Sequence, residues 1–169
     1  MGIIPTGSFI IAEPSEQKYH PRNTVDAQFS MPYGVAIAIL KRRASLEEFA
    51  EDLVRSPEVQ ALLKKVICVK DPELERSFPA KWSGWAEIET ADGERKRARI
   101  EVPRGEPENP VGWEELVDKF HTLATPVFSE ARRKAIIEAT AQLETLQDIR
   151  EFTRLLQVES SPPYPIHIP

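Results

Sequence analysis

The one long apolar run of the sequence lies in residues 29–40, which read Phe29-Ser30-Met31-Pro32-Tyr33-Gly34-Val35-Ala36-Ile37-Ala38-Ile39-Leu40. From residue 31 onward it contains no charged side chain, and its one hydroxyl belongs to Tyr33. A helix here would be apolar on every side, which is typical of a buried helix. Ser30 can cap it, and Pro32 suits the first turn because its missing N–H would have no partner there. Tyr33 then lies in the same first turn, where we expect any chemistry of this helix.

The composition is that of a globular protein. The 169 residues are 41% hydrophobic and 29% charged, with a net charge of −5, and this length suffices for one domain with a sizeable core. No basic cluster alternates with aromatics as a nucleic-acid surface requires, and no apolar run approaches the ~20 residues that span a bilayer. Cys68 is the only cysteine, which excludes an internal disulfide and favours a reducing compartment. We therefore expect a cytoplasmic protein that binds neither nucleic acid nor membrane.

The two ends of the chain differ from its middle. Residues 1–17 read as an irregular lead-in in which Ser8–Ala12 could form a short strand, and Pro14 interrupts it. Residues 159–169 include Pro162, Pro163 and Pro165, and such a tail is predicted to be disordered. We expect one domain over residues 1–158.

Start signals mark two helices after the central one. Ser45 and Glu48 have the spacing of a capping box, ahead of an amphipathic helix predicted over residues 46–54. Ser56 followed by Pro57 is typical of the next helix start. Both helices therefore have a physically defined beginning.

The later elements are a strand, a connection and three more helices. The β-branched run 66–70 predicts a strand, with Cys68 as a core residue rather than a nucleophile. Residues 103–112 form a turn-rich connection. The helices beyond it are predicted to start near Trp113, Ser129 and Asp148. The predicted fold class is α+β, a small antiparallel sheet packed by several helices.

Face alternation sets the register of one hairpin. Ala86, Ile88, Ala98 and Ile100 belong on one face of the sheet, and the charged residues between them belong on the other. A two-residue turn would mix the two sets on one face, which a half-buried sheet does not tolerate. A three-residue loop, residues 91–93, with Gly93 in the left-handed position keeps them apart. The predicted pairs are Glu87 with Arg97, Glu89 with Arg95 and Trp85 with Arg99, so the basic run is an outer strand face rather than a phosphate site.

Few motifs point directly to chemistry. There is no dinucleotide fingerprint, P-loop, nucleophile elbow or paired-histidine zinc motif. His20, His121 and His167 are scattered, and a solvated loop is the favoured interpretation for His20. On composition alone Tyr33 is either a core tyrosine bonded to a backbone carbonyl or a site residue.

Three separated motifs nevertheless resemble one family. Residues 23–36 (NTVDAQFSMPYGVA), 103–110 (PRGEPENP) and 115–120 (ELVDKF) occur in the order found in the C-terminal domain of the MmgE/PrpD family. The resemblance runs from about Lys18 to Leu156. This family includes 2-methylcitrate dehydratase, cis-aconitate decarboxylase and iminodisuccinate epimerase.

The resemblance implies a lid-like domain that packs on a large helical domain, with a polycarboxylate site between the two. It implies proton abstraction beside a carboxylate without a cofactor or metal. The family's site tyrosine corresponds here to Tyr33, which we expect to be catalytic. Ser30 and Gln28 are expected to bind substrate as donors, although helix capping and loop packing are equally good explanations for them. The free N–H groups of a helix start would also attract a carboxylate.

Two functions follow from this. The first is the lid half of a lyase or isomerase, 2-methylcitrate dehydratase-like and inactive without the helical domain, which would be separate or missing. The second is a stand-alone binding or assembly module, which could form a homodimer that hides the surface left by the absent domain.

Overall fold

The computed structural model describes residues 1–158, so the predicted tail at 159–169 lies outside the described residues. The chain forms two compact units, one from Met1 to Pro110 and one that begins at Val111. They divide within the predicted connection, where residues 101–112 contain turns and bends but no helix or strand. One domain over residues 1–158 therefore stays a prediction, and each compact unit is described by itself below.

The first unit opens with strand β1 (Gly2–Ile3) and helices α1 (Pro5–Ile11), α2 (Ser15–Tyr19), α3 (Thr24–Gln28) and α4 (Met31–Lys41). Residues 1–17, expected to be irregular, instead contain β1, α1 and the start of α2. Ser8 and its neighbours are helical rather than extended, because Pro5 stands at the start of α1, where its fixed φ favours helix initiation. The short strand considered for residues 8–12 is therefore wrong.

Helix α4 begins as predicted and is buried on one side only. The Ser30 hydroxyl accepts the Tyr33 N–H at 3.1 Å. The buried residues are Pro32, Tyr33, Ala36 and Ile37, whereas Ala38 and Ile39 are exposed. The uniform apolar sequence therefore predicts the buried face correctly and the outer face wrongly. The helix ends at Arg42, whose φ of 56° lies in the left-handed region.

The first unit continues with a 3-10 turn (Leu46–Phe49), α5 (Glu51–Val54), α6 (Pro57–Leu63), β2 (Val69–Lys70), α7 (Pro72–Glu75), β3 (Gly84–Glu89) and β4 (Arg95–Ile100). The capping box of Ser45 and Glu48 is confirmed. So is the Ser56 cap, which accepts the Val59 N–H. The strand predicted over 66–70 is shorter than expected.

The single helix predicted over residues 46–54 is wrong, since Ala50 is extended with a ψ of 143°. A continuous helix would use the carbonyls of Glu48 and Phe49 for its own hydrogen bonds. The Glu48 carbonyl instead accepts the Tyr33 hydroxyl, and the Phe49 carbonyl accepts the Thr24 hydroxyl. Tertiary contacts thus replace the helical bonds and break the helix in two.

The sheet has the strand order β2-β1-β3-β4. Strand β1 pairs parallel with β2 and antiparallel with β3, so the sheet is mixed where we expected an antiparallel one. Gly2 lies opposite Trp85, and a Cβ at position 2 would meet the indole nitrogen at 2.1 Å. The α+β class is confirmed, with helices predominating over a short central sheet.

The hairpin register is confirmed in full. The structure pairs Glu87 with Arg97, Glu89 with Arg95 and Trp85 with Arg99. Gly93 has a φ of 85°, in the left-handed region that the three-residue loop requires. The apolar side of the hairpin remains open, however, because Ile88 is 45% and Ile100 is 59% exposed.

The core of the first unit lies between α4, α5 and α6. Its fully buried side chains include Tyr33 and Ile37 from α4 and Leu63 from α6. The other members of this cluster are Ala27, Ala36, Val54 and Val59. Burying such side chains stabilises the fold by roughly 1.5–3 kcal/mol for each large one.

The second unit contains α8 (Trp113–Ala124), α9 (Glu130–Ala141), a 3-10 turn (Leu143–Thr145) and α10 (Ile149–Leu155). The predicted caps of α9 and α10 are confirmed, since Ser129 accepts the Arg132 N–H and Asp148 accepts the Arg150 N–H. The Arg132 guanidinium donates to the Leu155 carbonyl at 2.9 Å, which joins α9 to α10. No helix within residues 1–158 is both long and apolar enough to cross a bilayer.

Candidate functional site

The candidate site is the first turn of α4 and the segment that leads into it. Asn23 caps α3 by accepting the Asp26 N–H at 2.8 Å, and Ser30 caps α4 only a few residues later. Two capped helix starts so close together fix the path of the chain between them. The family motif at residues 23–36 therefore has a clear structural meaning: it forms α3, the Ser30 cap and the start of α4.

Tyr33 is fully buried, with 0% of its surface exposed. Its hydroxyl donates to the Glu48 carbonyl at 2.5 Å, and its ring lies against Phe49 with centroids 5.4 Å apart. Burial, followed by the negative charges of Glu48 and Asp52, raises the pKa of Tyr33 to about 12. At neutral pH the side chain is therefore a protonated hydrogen-bond donor and not a base.

Ser30 is buried and makes two hydrogen bonds. Its Oγ donates to the Lys18 carbonyl at 2.5 Å and accepts the Tyr33 N–H. The Ser30 carbonyl also accepts the Gly34 N–H at 3.0 Å. These bonds explain why a serine caps this helix, and they join α2 to the start of α4.

The first turn offers fewer free donors than the sequence suggested. Tyr33 and Gly34 already donate their N–H groups to Ser30, and Pro32 has none. A carboxylate at this helix end would have to compete with the Ser30 cap. The helix start alone therefore does not provide an open anion site.

Gln28 lies apart from the other two predicted residues. It is the last residue of α3, and its side chain is exposed. Val25 and Phe29, on the same short helix and its cap, are 61% and 50% exposed. The structure thus brings Ser30 and Tyr33 into direct contact and leaves Gln28 on an adjacent, partly apolar surface.

Glu48 is a residue of this region whose tertiary role the sequence did not reveal. Its carboxylate is 3% exposed and accepts the Ser45 N–H at 2.8 Å and the Arg43 guanidinium at 2.7 Å. Burial by itself raises the pKa of Glu48, but the Ser45 and Arg43 bonds outweigh it and hold the pKa below its usual range. The capping-box spacing predicted the Ser45 bond, whereas no local pattern signals that the Glu48 carbonyl receives the Tyr33 hydroxyl.

The histidines have separate surroundings. His20 lines an open cavity of about 410 Å³ together with Arg22 and Arg55. Both arginines are already paired, Arg22 with Asp26 and Arg55 with Glu51. The favoured interpretation of a solvated basic cluster at His20 agrees with this arrangement.

His121 lies in the second unit, where its Nδ1 accepts the Arg133 Nε–H at 3.2 Å, and His167 is outside the described residues. In the part of the chain that the structure describes, no three His, Cys, Asp or Glu side chains are grouped so as to hold a metal ion. The half-buried Cys68 thiol has a raised pKa, chiefly because of burial, so it is a poor nucleophile at neutral pH.

Comparison with known proteins places these features in a family. The sequence pattern of the MmgE/PrpD C-terminal domain matches residues 5–145. Cis-aconitate decarboxylase from Aspergillus terreus is 30% identical over 138 residues, which cover 80% of this chain and 28% of that protein. Cis-aconitate decarboxylase from Mus musculus is 27% identical over 137 residues, covering 81% and 28%.

A 2-methylcitrate dehydratase matches a similar share of the chain. The 2-methylcitrate dehydratase of Cupriavidus necator is 29% identical over 133 residues, which cover 73% of this chain and 28% of that protein. The chain therefore spans only about 28% of the length of these relatives. The match over residues 5–145 includes all three motifs and extends through most of both compact units. The chain belongs to the MmgE/PrpD family and corresponds to its C-terminal domain.

Proposed function

We propose that this chain is the lid-like part of a lyase or isomerase that acts on a polycarboxylate, and that an all-helical domain supplies the rest of the active site. The observation that carries the proposal is the family match over residues 5–145. The matched relatives are named for decarboxylation of cis-aconitate and dehydration of 2-methylcitrate. Both compounds carry several carboxylates.

The chemistry we propose is removal of a proton from carbon beside a carboxylate, followed by loss of water, decarboxylation or reprotonation. A general base, an anion clamp and exclusion of water are all needed for this. Within residues 1–158, Tyr33 and Ser30 cannot supply them together, because both are buried and already bonded inside the fold. The chain should therefore be inactive alone, and the base should come from the helical domain.

The surface next to α4 supports a partner on this side. Val25 is 61% and Phe29 is 50% exposed, and both lie next to the exposed Gln28. Exposed apolar side chains of this kind are often covered by association. We propose that the helical domain packs here. Gln28 would then face the substrate cleft, where its amide can donate to a carboxylate.

In this proposal Tyr33 is the catalytic residue of the lid. Its raised pKa, about 12, suits a hydroxyl that donates a hydrogen bond to a substrate carboxylate. The hydroxyl is now held by the Glu48 carbonyl. Catalysis by Tyr33 therefore requires that the turn Leu46–Phe49 move when the helical domain docks, so that the hydroxyl exchanges this carbonyl for the substrate.

The test is co-purification of the tagged chain from its native source, followed by assays of the chain and of any complex with cis-aconitate and 2-methylcitrate. We expect a stoichiometric partner that belongs to the helical part of the MmgE/PrpD family, turnover by the complex and none by the chain alone. A chain that purifies without such a partner and binds neither acid would refute the proposal in favour of the stand-alone module.

A further inference from the structure

The open cavity at the start of α3, which we call the Arg22–Arg55 cavity, has a lining that suits an anion. It has a volume of about 410 Å³, and its lining residues are His20, Pro21, Arg22, Arg55 and Gln60. Two of these residues are arginines and none is an aspartate or a glutamate. A guanidinium group can donate two parallel hydrogen bonds to one carboxylate, which makes arginine well suited to the recognition of such groups.

The two arginines use only part of their hydrogen-bonding capacity inside the fold. Arg22 donates its Nε–H to Asp26 at 3.1 Å, and no described residue accepts from its two Nη groups. Arg55 donates from Nε and Nη2 to the Arg22 carbonyl and from Nη2 to Glu51, and its Nη1 has no acceptor within residues 1–158. Asp26 and Glu51 therefore leave donors of both arginines free, and neither carboxylate lines the cavity.

Local bonds fix the residues around the cavity before any ligand binds. Asp26 accepts both the backbone N–H and the Nε–H of Arg22, at 3.1 Å each. Arg55 holds the Arg22 carbonyl with two bonds, at 3.2 and 3.0 Å, from 33 positions away in the chain. The Gln60 amide donates to the Val54 carbonyl at 2.8 Å. An anion thus meets guanidinium groups that are already oriented, which lowers the entropy cost of binding.

We propose that the Arg22–Arg55 cavity binds a small polycarboxylic acid through two of its carboxylates. One carboxylate takes the free Nη groups of Arg22, the second takes the free Nη1 of Arg55, and the His20 imidazole offers a further N–H. The cavity volume lies within the range of about 300–1,000 Å³ that is typical of small-molecule sites. The choice of a carboxylate over another anion rests on the proposed function.

The cavity adjoins the first turn of α4 but does not include it. The Lys18 carbonyl, two residues before His20, accepts the Ser30 hydroxyl that caps α4. The cavity also lies at the start of α3, on whose exposed surface we propose that the helical domain packs. A domain that covers α3 and the cavity would exclude water and strengthen the attraction between the arginines and a bound carboxylate. In that arrangement Arg22 and Arg55 position the acid and take no part in proton transfer.

The experiment is a titration of the full chain with tricarballylate (propane-1,2,3-tricarboxylate), acetate and inorganic phosphate at constant ionic strength, followed by NMR of the backbone amides. Tricarballylate resembles the proposed substrates but has no hydroxyl to lose as water. We expect saturable shifts at Arg22, Asn23 and Arg55. The affinity for tricarballylate should exceed that for acetate or phosphate by about tenfold or more, because only an acid with separate carboxylates engages both arginines.

Variants of the two arginines locate the binding. Arg22→Gln and Arg55→Gln should each weaken tricarballylate binding by about tenfold or more, since each removes charge-assisted hydrogen bonds. Arg22→Lys keeps the charge but not the forked geometry and should fall between Arg22→Gln and the natural chain. Arg76→Gln is the matched control, because Arg76 lies outside the cavity and is 78% exposed, close to the 83% of Arg22. At so exposed a position the Arg22 variants should fold, and their amide spectra check this.

Three results would overturn the proposal. One is the absence of saturable shifts at Arg22 and Arg55. Another is equal affinity for tricarballylate and phosphate, which would indicate an unselective anion site. The third is an Arg76→Gln variant that binds as weakly as Arg22→Gln.

This experiment and the test of the proposed function can fail separately. Binding is measured on the chain alone, whereas the proposed function is measured as turnover by a complex. Tricarballylate binding at the cavity without an active complex would contradict the proposed function only. An active complex whose chain shows no binding at the cavity would contradict the cavity proposal only.

Discussion

The Tyr33 hydroxyl donates to the backbone carbonyl of Glu48 across 2.5 Å, between residues fifteen positions apart in the chain. This bond joins the start of α4 to the turn Leu46–Phe49 and uses a carbonyl that would otherwise belong to a longer helix. It also places the residue that the family resemblance marks as catalytic within the core of the domain. Several consequences for stability and activity depend on it.

Tyr33→Phe should lower the free energy of unfolding by about 1–2 kcal/mol, because it leaves the buried Glu48 carbonyl without its donor. Tyr19→Phe is the comparison, since the Tyr19 hydroxyl also donates to a backbone carbonyl, that of Val66, at 2.8 Å, and accepts the Cys68 N–H at 3.3 Å. Tyr19 is only half-buried, so water can replace its hydroxyl and the loss should be smaller. Urea unfolding measures both values. Equal losses would contradict the assignment of Tyr33 to a dry core position.

Ser30→Ala should cost about 1–2 kcal/mol of folding free energy, at the upper end for an N-cap. The variant loses both the bond to the Tyr33 N–H and the bond to the Lys18 carbonyl. Ser56→Ala is the comparison, because Ser56 caps α6 with a single, longer bond of 3.4 Å to the Val59 N–H. Thermal unfolding should show the larger decrease for Ser30→Ala. The reverse order would mean that the link from α2 to α4 contributes little.

Acid should destabilise the first unit partly through Glu48. The pKa of Glu48 is lower in the folded protein than its usual value, so this carboxylate stabilises the fold above its unfolded pKa of about 4.3. That stabilisation is lost as the pH falls through the lower folded pKa. In unfolding measurements from pH 7 to pH 3, Glu48→Gln should therefore lose less stability on acidification than the natural chain. Glu108→Gln, at an exposed position, is the control and should lose stability with falling pH as the natural chain does. If Glu48→Gln also loses as much stability as the natural chain, Glu48 does not contribute to the acid sensitivity.

Gly93→Ala should destabilise the hairpin by about 1 kcal/mol, because Gly93 has a φ of 85° that a Cβ disfavours. Gly7→Ala provides the opposite case. Gly7 lies within α1, and an added Cβ there meets nothing within 4 Å, so alanine should stabilise the helix by about 0.5–1 kcal/mol. Chemical denaturation of the two variants should give shifts of opposite sign. A neutral Gly93→Ala would mean that the loop can adopt another turn.

Features with a local physical signal were predictable from the sequence. The caps at Ser30, Ser56 and Asp148 each follow from a side chain that can reach an amide two or three residues ahead. The hairpin register followed from face alternation, and Gly93 supplied the required turn. These predictions succeed because donor and acceptor lie close together in the chain.

Features that depend on distant partners were not predictable. The break at Ala50 results from donors on Thr24 and Tyr33, and no pattern within residues 46–54 reveals them. The exposed side of α4 was unpredictable for the same reason. Because every residue of the helix body is apolar, the sequence does not show which face of the helix packs against the rest of the first unit. For Tyr33, both interpretations drawn from the sequence retain physical support: the structure provides the bond to a backbone carbonyl, and the family resemblance suggests catalysis.

The decisive measurement for Tyr33 is the turnover number of a complex between the chain and the proposed helical domain, for the natural sequence, Tyr33→Phe and Tyr19→Phe. Assays at saturating cis-aconitate or 2-methylcitrate, corrected for the folded fraction, separate chemistry from stability. We predict that Tyr33→Phe lowers kcat by about 100-fold or more, within the range for a lost catalytic donor, while Tyr19→Phe keeps the natural kcat. Equal turnover by the natural complex and the Tyr33→Phe complex would contradict it and leave Tyr33 as a core residue alone.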